Sequence, residues 1–171
     1  MSNLKDMQNF TYSKIGMALV SAQRVEYLTG QLVKLLSEFD QSLYKLTGEE
    51  FLAMSKKAKN ARLTLGSIFK LLKLNPQFVI EDELNEYLQK RNILVHKFWR
   101  DYLKSTSEVD IKSAIDFCYD FGRLSNKVES FFKGFIYFLS LRHVNNRDEL
   151  NGTIQMWSDD FDYFMARLTS K

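Results

Sequence analysis

The chain has 171 residues, of which 45% are hydrophobic, and its 24 lysines and arginines against 21 acidic residues leave a net charge of +3. This length and apolar content exclude a disordered chain and predict one domain with its own core. One proline and seven glycines argue against a β-sandwich, which needs many turns, and favour long helices. The mild positive charge is compatible with RNA binding but does not require it.

Three features bear on the cellular compartment. Cys118 is the single cysteine, so an intrachain disulfide is excluded and a reducing compartment is expected. Residues 1–10 are polar and lack the apolar core of a signal peptide. The most apolar stretch, residues 131–141, contains Lys133 and is too short to span a bilayer. We therefore expect a cytoplasmic protein that does not enter a membrane.

The first half of the chain is predicted to form two helices. After a frayed lead-in over residues 1–10, apolar residues recur at helical spacing across residues 12–39. Residues 41–48 form a linker, and a second helix is expected over residues 49–74. Asn75-Pro76 ends it, because proline blocks helix continuation and restricts the residue before it.

The second half is predicted to form three further helices. The third covers residues 81–104, and residues 105–108 supply cap residues for the fourth. The fourth runs from Ile111 to residues 141–143, and a fifth covers residues 148–168. With no repeats or domain linkers, the sequence predicts an all-α fold: a single antiparallel bundle of four to five helices.

The third helix carries a broad apolar arc with an arginine near its middle. The arc residues, at about 100° per position, are Leu84, Tyr87, Leu88, Leu94, Val95, Phe98, Trp99 and Tyr102. Arg91 lies among them, whereas Ile93 lies opposite the arc and is expected to be exposed. A buried guanidinium is costly unless it is paired. Arg91 therefore needs a carboxylate, a subunit boundary or an anionic ligand.

The sequence lacks the residue patterns that most other kinds of catalytic site require. His96 and His143 have no partner at metal-ligand spacing, and no glycine-rich phosphate loop occurs. Cys118 lies in an apolar stripe and is expected in the core. His143 is expected to be a helix-end residue favoured by the local dipole. No cofactor is predicted.

The remaining candidates for catalysis are Arg91, Asn92 and His96. Arginine can bind a phosphate through two parallel hydrogen bonds and stabilise charge developing on it. Histidine can take and give protons near neutral pH, and asparagine can orient it or hold a phosphate oxygen. These groups suffice for RNA cleavage without a metal, because RNA supplies the ribose 2′-hydroxyl as its own nucleophile.

The spacing of these residues raises a geometric problem. Arg91 and His96 are five positions apart, so on an ideal α-helix they point about 140° from each other. Two copies of the motif facing each other across a two-fold axis would complete one site and cover the apolar surroundings of Arg91. The alternative is a structural arginine paired with Glu26 or Glu86. An arginine tied to an internal acid, away from any groove or second subunit, would leave only a helical scaffold.

The pattern Arg91-Asn92-x-x-x-His96, in a basic and apolar-flanked helix of an all-helical chain, resembles the signature of the HEPN superfamily. The specific part of this resemblance covers residues 88–99. It implies a four- or five-helix bundle over residues 1–171, a homodimer, and a metal-independent endoribonuclease acting as a toxin or in phage defence. It also implies that Arg91 and His96 are catalytic and that Asn92 is the polar residue following the arginine.

The sequence departs from one subgroup of that superfamily. Toxins that a nucleotidyltransferase partner silences by adenylylation carry a tyrosine two positions after the histidine, where this chain has Phe98. Tyr102, one turn on, is a weak substitute. Control by an antitoxin or another regulatory protein partner is therefore left open.

Basic residues supply candidate contacts to RNA. Lys90 and Lys97 flank the motif, and Lys56 and Lys57 belong to a basic run on the second helix, which could follow a nucleic-acid backbone or be a solvated helix face.

An alternative function is a non-catalytic dimerisation module that binds nucleotides or a protein. The aromatic residues of the last helix are expected in the core or a dimer interface rather than as base-stacking platforms; they are Trp157, Phe161 and Phe164.

Overall fold

The all-α bundle predicted from the sequence is confirmed. A computed structural model describes residues 2–36, 80–105, 107–141 and 144–169, and no strand occurs among them. The α-helices in that part of the chain are α1 (Ser2–Leu36), α2 (Glu81–Asn92), α3 (Glu108–Ser140), α4 (Gly152–Gln155) and α5 (Ser158–Thr169). The helix predicted over residues 49–74, with Lys56 and Lys57, lies outside the described residues, as does His143.

Helix α1 begins ten residues earlier than the sequence predicts. It starts at Ser2, so the expectation of a frayed lead-in over residues 1–10 is wrong. Thr11 is buried, and its hydroxyl donates a hydrogen bond to the carbonyl oxygen of Met7 at 2.8 Å. A threonine that bonds the preceding turn in this way is accommodated within a helix. The first turns therefore belong to one continuous helix, although their polar composition does not predict it.

The helix that carries the motif is not a regular α-helix beyond Asn92. Two π-helical segments follow α2, at Ile93–Lys97 and at Trp99–Leu103. A π-helix forms i→i+5 hydrogen bonds, so each turn holds more residues and the phase of the apolar arc shifts. As a result Val95 and Trp99, predicted in the core arc, are 43% and 67% exposed. Ile93, expected to be exposed, instead packs against the core.

Helix α3 supplies more than half of the buried hydrophobic residues in the described part of the chain. The predicted cap at residues 105–108 is confirmed, because the Ser107 hydroxyl accepts a hydrogen bond from the backbone N–H of Asp110 at 3.1 Å. This bond satisfies one of the N–H groups that a helix start leaves unpaired. Cys118 is buried in this helix, as expected.

The predicted fifth helix over residues 148–168 is broken into shorter pieces. A 3₁₀ turn at Arg147–Glu149 and the short α4 precede α5. The side chains of Asn146 and Asn151 accept hydrogen bonds from the backbone two residues on, each at 2.9 Å. Asparagine competes with helical hydrogen bonding in this way, and so each one starts a new element.

Consecutive long helices run antiparallel where the chain is described. Tyr87 of α2 stacks on Phe121 of α3, whereas Phe98, further along the chain, meets the earlier Phe117. In contrast α1 and α3 run parallel, because Lys14 lies over Tyr119 and Arg24 bonds Asn126. Within the described ranges, no helix is both long enough and apolar enough to cross a membrane.

The interface between α3 and α5 is tightly packed. Phe164 is buried and stacks on Phe135 with ring centroids 5.1 Å apart. A Cβ atom added at Gly134 would lie 2.5 Å from the Cβ of Phe164 and 2.8 Å from the carbonyl carbon of Asp160. Only glycine permits this approach. Trp157 and Phe161 also pack against the core, which agrees with their predicted structural role.

Candidate functional site

Arg91 is held by Glu26 at the edge between α2 and α1. Its Nε and Nη2 atoms donate hydrogen bonds to the same carboxylate oxygen, Oε1, at 3.1 and 2.6 Å. The side chains of Arg91 and Glu26 are 25% and 40% exposed, so this acid lies at the surface rather than inside the protein. The sequence offers Glu26 and Glu86 as partners of Arg91, and the structure shows the pair with Glu26.

The pair leaves donors of Arg91 available. A guanidinium has five N–H donors, and Glu26 takes two of them. The other three have no partner among the described residues, and a quarter of the side chain is open to solvent. Arg91 can therefore receive an anion at the surface while Glu26 holds its orientation.

The residues around this ion pair are partly paired with one another. Glu86, the other acid considered for Arg91, instead binds Lys90 one turn along α2 at 2.9 Å. Burial raises the pKa of the Tyr87 phenol well above its usual value, the Glu26 carboxylate raises it further, and Arg91 opposes this. Tyr87 thus stays protonated next to the ion pair.

Asn92, His96 and Lys97 are all exposed on the same segment as Arg91. Asn92 closes α2 and His96 lies in the first π-helical segment, four positions on. No hydrogen bond within the described residues joins the His96 imidazole to Arg91 or to Asn92. The histidine is thus open to solvent and to any ligand that reaches this surface.

The π-helical turn changes the relation between Arg91 and His96. On an ideal α-helix the two would point about 140° apart. Hydrogen bonds from i to i+5 widen the turn across Ile93–Lys97, which brings residues five apart closer to one face. Segments of this kind are rare and occur frequently at functional sites. The guanidinium nevertheless points to α1, so one chain does not bring the two groups into contact.

An apolar surface lies beside the histidine. Val95 precedes His96, and Trp99 follows one turn later; both are exposed. A sequence pattern read at α-helical spacing places these residues in the core, so it misses them as surface residues. Their exposure depends on the wider turn of the π-helix. No residue type in the segment predicts that a π-helix forms there.

Phe98, two positions after His96, lies in the core. It is buried and stacks on Tyr102 with ring centroids 5.0 Å apart, and both rings contact Phe117. Burial raises the pKa of Tyr102 above its usual value, with the Asp101 carboxylate adding to the effect. The ring of Tyr102 therefore belongs to an aromatic cluster with Phe98 and Phe117.

No family model, curated protein or solved structure matches this chain.

Proposed function

We propose that the protein is a metal-independent endoribonuclease of HEPN type, which cleaves RNA at a site built by two copies of the chain. The observation that carries this proposal is the exposure of Asn92 and His96 beside an arginine that retains three N–H donors. The resemblance of Arg91-Asn92-x-x-x-His96 to the HEPN signature supports the same function. A role as a toxin or phage-defence effector, restrained by a regulatory protein partner, is part of this proposal.

In the proposed reaction the neutral His96 imidazole accepts the proton of the ribose 2′-hydroxyl. The 2′-oxygen attacks the adjacent phosphorus, and the bond from phosphorus to the 5′-oxygen breaks. The protonated His96 of the second copy gives its proton to that 5′-oxygen. Arg91 donates hydrogen bonds to the phosphate oxygens, on which negative charge builds up in the transition state. The products are a 2′,3′-cyclic phosphate and a 5′-hydroxyl end.

The second copy has a physical reason to bind at this surface. Val95 and Trp99 are large apolar side chains exposed beside His96. A two-fold contact through this patch would remove them from water and bring two motifs together. Lys97 is exposed at the same place and is a candidate contact to RNA phosphates, whereas Lys90 already has Glu86 as a partner.

The test uses purified protein and total RNA in buffer containing EDTA. We expect products that end in a 2′,3′-cyclic phosphate, and we expect His96→Ala and Arg91→Ala each to lower the cleavage rate at least a hundredfold. Lys112→Ala, an exposed change on α3, is the matched control and should leave the rate unchanged. Intact RNA with folded wild-type protein would refute the proposal.

A second function, a non-catalytic binding module, is favoured by the ion pair itself. Glu26 engages Arg91 from two nitrogens, as a structural arginine requires. RNA cleavage separates the two functions, and the variant Glu26→Gln shows what the ion pair contributes in each case. In a ribonuclease it leaves the guanidinium in place with its charge less neutralised, so cleavage persists. In a scaffold the substitution weakens the contact between α1 and α2, and neither the wild type nor Glu26→Gln cleaves RNA.

A further inference from the structure

The second notable surface is a groove between the parallel helices α1 and α3, on the opposite edge of α1 from Glu26. A cavity of about 440 Å³ there has a lining that includes Lys14, Met17, Tyr119, Gly122 and Arg123. A second cavity of about 340 Å³, lined partly by Tyr27 and Trp157, shares Val20 and Arg24 with it. We call these two adjoining cavities the α1–α3 groove.

The floor of the groove is apolar and exposed. Met17 and Val20 are 60% and 54% exposed, although each lies in the middle of a long helix. On the α3 side, a Cβ atom added at Gly122 would meet no atom within 4 Å, so the groove is open above this glycine. Large exposed apolar patches of this kind mark binding surfaces. Methionine in particular adapts its shape to different apolar partners.

The edge of the groove is positively charged. Lys14 lies over the rings of Phe10 and Tyr119, 4.8 and 4.7 Å from their centroids, and pairs with no carboxylate in the described part of the chain. Arg24 and Arg123 line the same cavity, whose described lining contains no acidic residue, whereas the adjoining cavity is lined by both Glu129 and Lys133. The cavity therefore favours a ligand that carries negative charge beside an apolar surface.

Two of these cations are already partly neutralised. Arg24 pairs with Glu129 at 3.0 Å, and Arg123 pairs with Asp120. The remaining charge is enough to orient an acidic partner but weak for following an RNA backbone, which carries one phosphate at every nucleotide. The exposed rings of Tyr27 and Tyr119 can pack against a base or against an apolar side chain, so the weak charge decides between the two ligands. The lining therefore favours a protein over RNA.

A second copy of this chain is also disfavoured. A two-fold dimer places the same patch on both sides of the interface, so Lys14, Arg24 and Arg123 would face their own copies. Like charges brought together across an interface are repulsive, and the pairing of Arg24 with Glu129 and of Arg123 with Asp120 leaves Lys14 without a compensating carboxylate in the described part of the chain.

We propose that the α1–α3 groove binds an amphipathic α-helix of another protein, with an apolar stripe on the groove floor and acidic residues on its flanks. From Lys14 to Tyr27 the groove follows α1 for about 20 Å, which matches a helix of roughly four turns. Helices bind such grooves through apolar anchors at i, i+3, i+4 and i+7. The proposal does not depend on RNA cleavage, because the groove lies on a different edge of α1 from Arg91 and Glu26.

The test is a selection from a displayed library of 18-residue helical peptides. The library keeps a leucine stripe at helical spacing and varies the flanking positions among Glu, Gln and Lys. We expect the full-length protein to enrich peptides with Glu on the flanks. Binding of an enriched peptide, followed by fluorescence anisotropy, should weaken as salt is raised, since its charges are exposed.

Two pairs of variants localise the binding. Gly122→Leu adds a side chain whose Cβ meets no atom within 4 Å at the groove, and Gly16→Leu makes the same change at an exposed glycine of α1 outside the groove. We expect Gly122→Leu to weaken peptide binding at least tenfold and Gly16→Leu to leave it unchanged. Lys14→Glu should weaken it several-fold, compared with Lys112→Glu at an exposed position of α3. These charge changes test the proposal even if Gly122→Leu does not fold.

Several outcomes would overturn the proposal. Failure to enrich any peptide, enrichment of Lys-flanked peptides, or equal binding to Gly122→Leu would each do so. Binding of a 12-nucleotide single-stranded RNA that is lost in Gly122→Leu, with no peptide binding, would assign the groove to RNA. A wild-type dimer that Gly122→Leu converts to a monomer would assign it to a second copy. Loss of ribonuclease activity in His96→Ala bears on the other site and leaves this result unchanged.

Discussion

Arg91 and Glu26 form an ion pair, 65 positions apart in sequence, that joins the motif-bearing helix α2 to α1. The pair fixes the arginine at the surface, with part of the guanidinium still open. This geometry serves both a catalytic arginine oriented by a carboxylate and a structural contact between helices. The size of the coupling between the two residues separates these roles.

A double-mutant cycle measures that coupling. We expect Arg91→Ala and Glu26→Gln to couple by only ~0.2–1 kcal/mol in the free energy of unfolding, because both side chains are partly exposed and screened by water. Urea unfolding of the wild type, both single variants and the double variant gives the value. A coupling of about 3 kcal/mol or more would identify a buried structural pair and count against the ribonuclease.

The exposed apolar patch should hold the proposed dimer together. We expect wild-type protein to have the mass of a dimer, and Trp99→Ser or Val95→Ser to shift it toward a monomer with unchanged helix content. Met156→Ser removes a side chain that is also exposed but lies in a different element, and it should not alter the mass. Light scattering coupled to size exclusion measures all four proteins. A monomeric wild type would contradict the composite site.

Gly134 should tolerate no larger residue. We expect Gly134→Ala to lower the free energy of unfolding by ~1–3 kcal/mol, because the added methyl group overlaps the backbone of Asp160 and the Cβ of Phe164. The same change at Gly122 meets no atoms, and it should raise stability by ~0.5–1 kcal/mol through better helix propensity. Chemical denaturation compares the two variants. Equal effects would show that α3 and α5 are further apart than described.

The thiol of Cys118 should react slowly until the solution is strongly alkaline. Burial raises its pKa to about 11, and only the thiolate is nucleophilic. Alkylation by iodoacetamide in the native protein should therefore rise about tenfold per pH unit up to that range. Urea-unfolded protein, whose thiol has its ordinary pKa, should react faster at pH 8 and level off earlier.

The same shift has a consequence for stability. The folded state keeps the Cys118 proton at a higher pH than the unfolded state does. The resulting contribution of Cys118 to the free energy of unfolding is therefore fully present below the ordinary thiol pKa. It is lost as the pH rises toward about 11. Rapid labelling of native protein at pH 8 would show that the thiol is not buried.

The all-α bundle follows from composition and periodicity alone, because apolar residues at a repeated helical spacing predict long helices. The cap at Ser107 and the burial of Cys118 and Phe164 are predictable for the same reason: each depends on nearby residues in the chain. The Arg91, Asn92 and His96 set can also be picked out from the sequence, because an arginine within an apolar arc is unusual.

Other features required the tertiary structure. Whether Glu26 or Glu86 pairs with Arg91 depends on how α1 packs beside α2, which no local pattern records. The π-helical segments shift Val95 and Trp99 to the surface because their backbone hydrogen bonds follow a different period from the one that sequence patterns assume. The α1–α3 groove exists only because two helices distant in sequence lie side by side, leaving apolar residues of α1 uncovered.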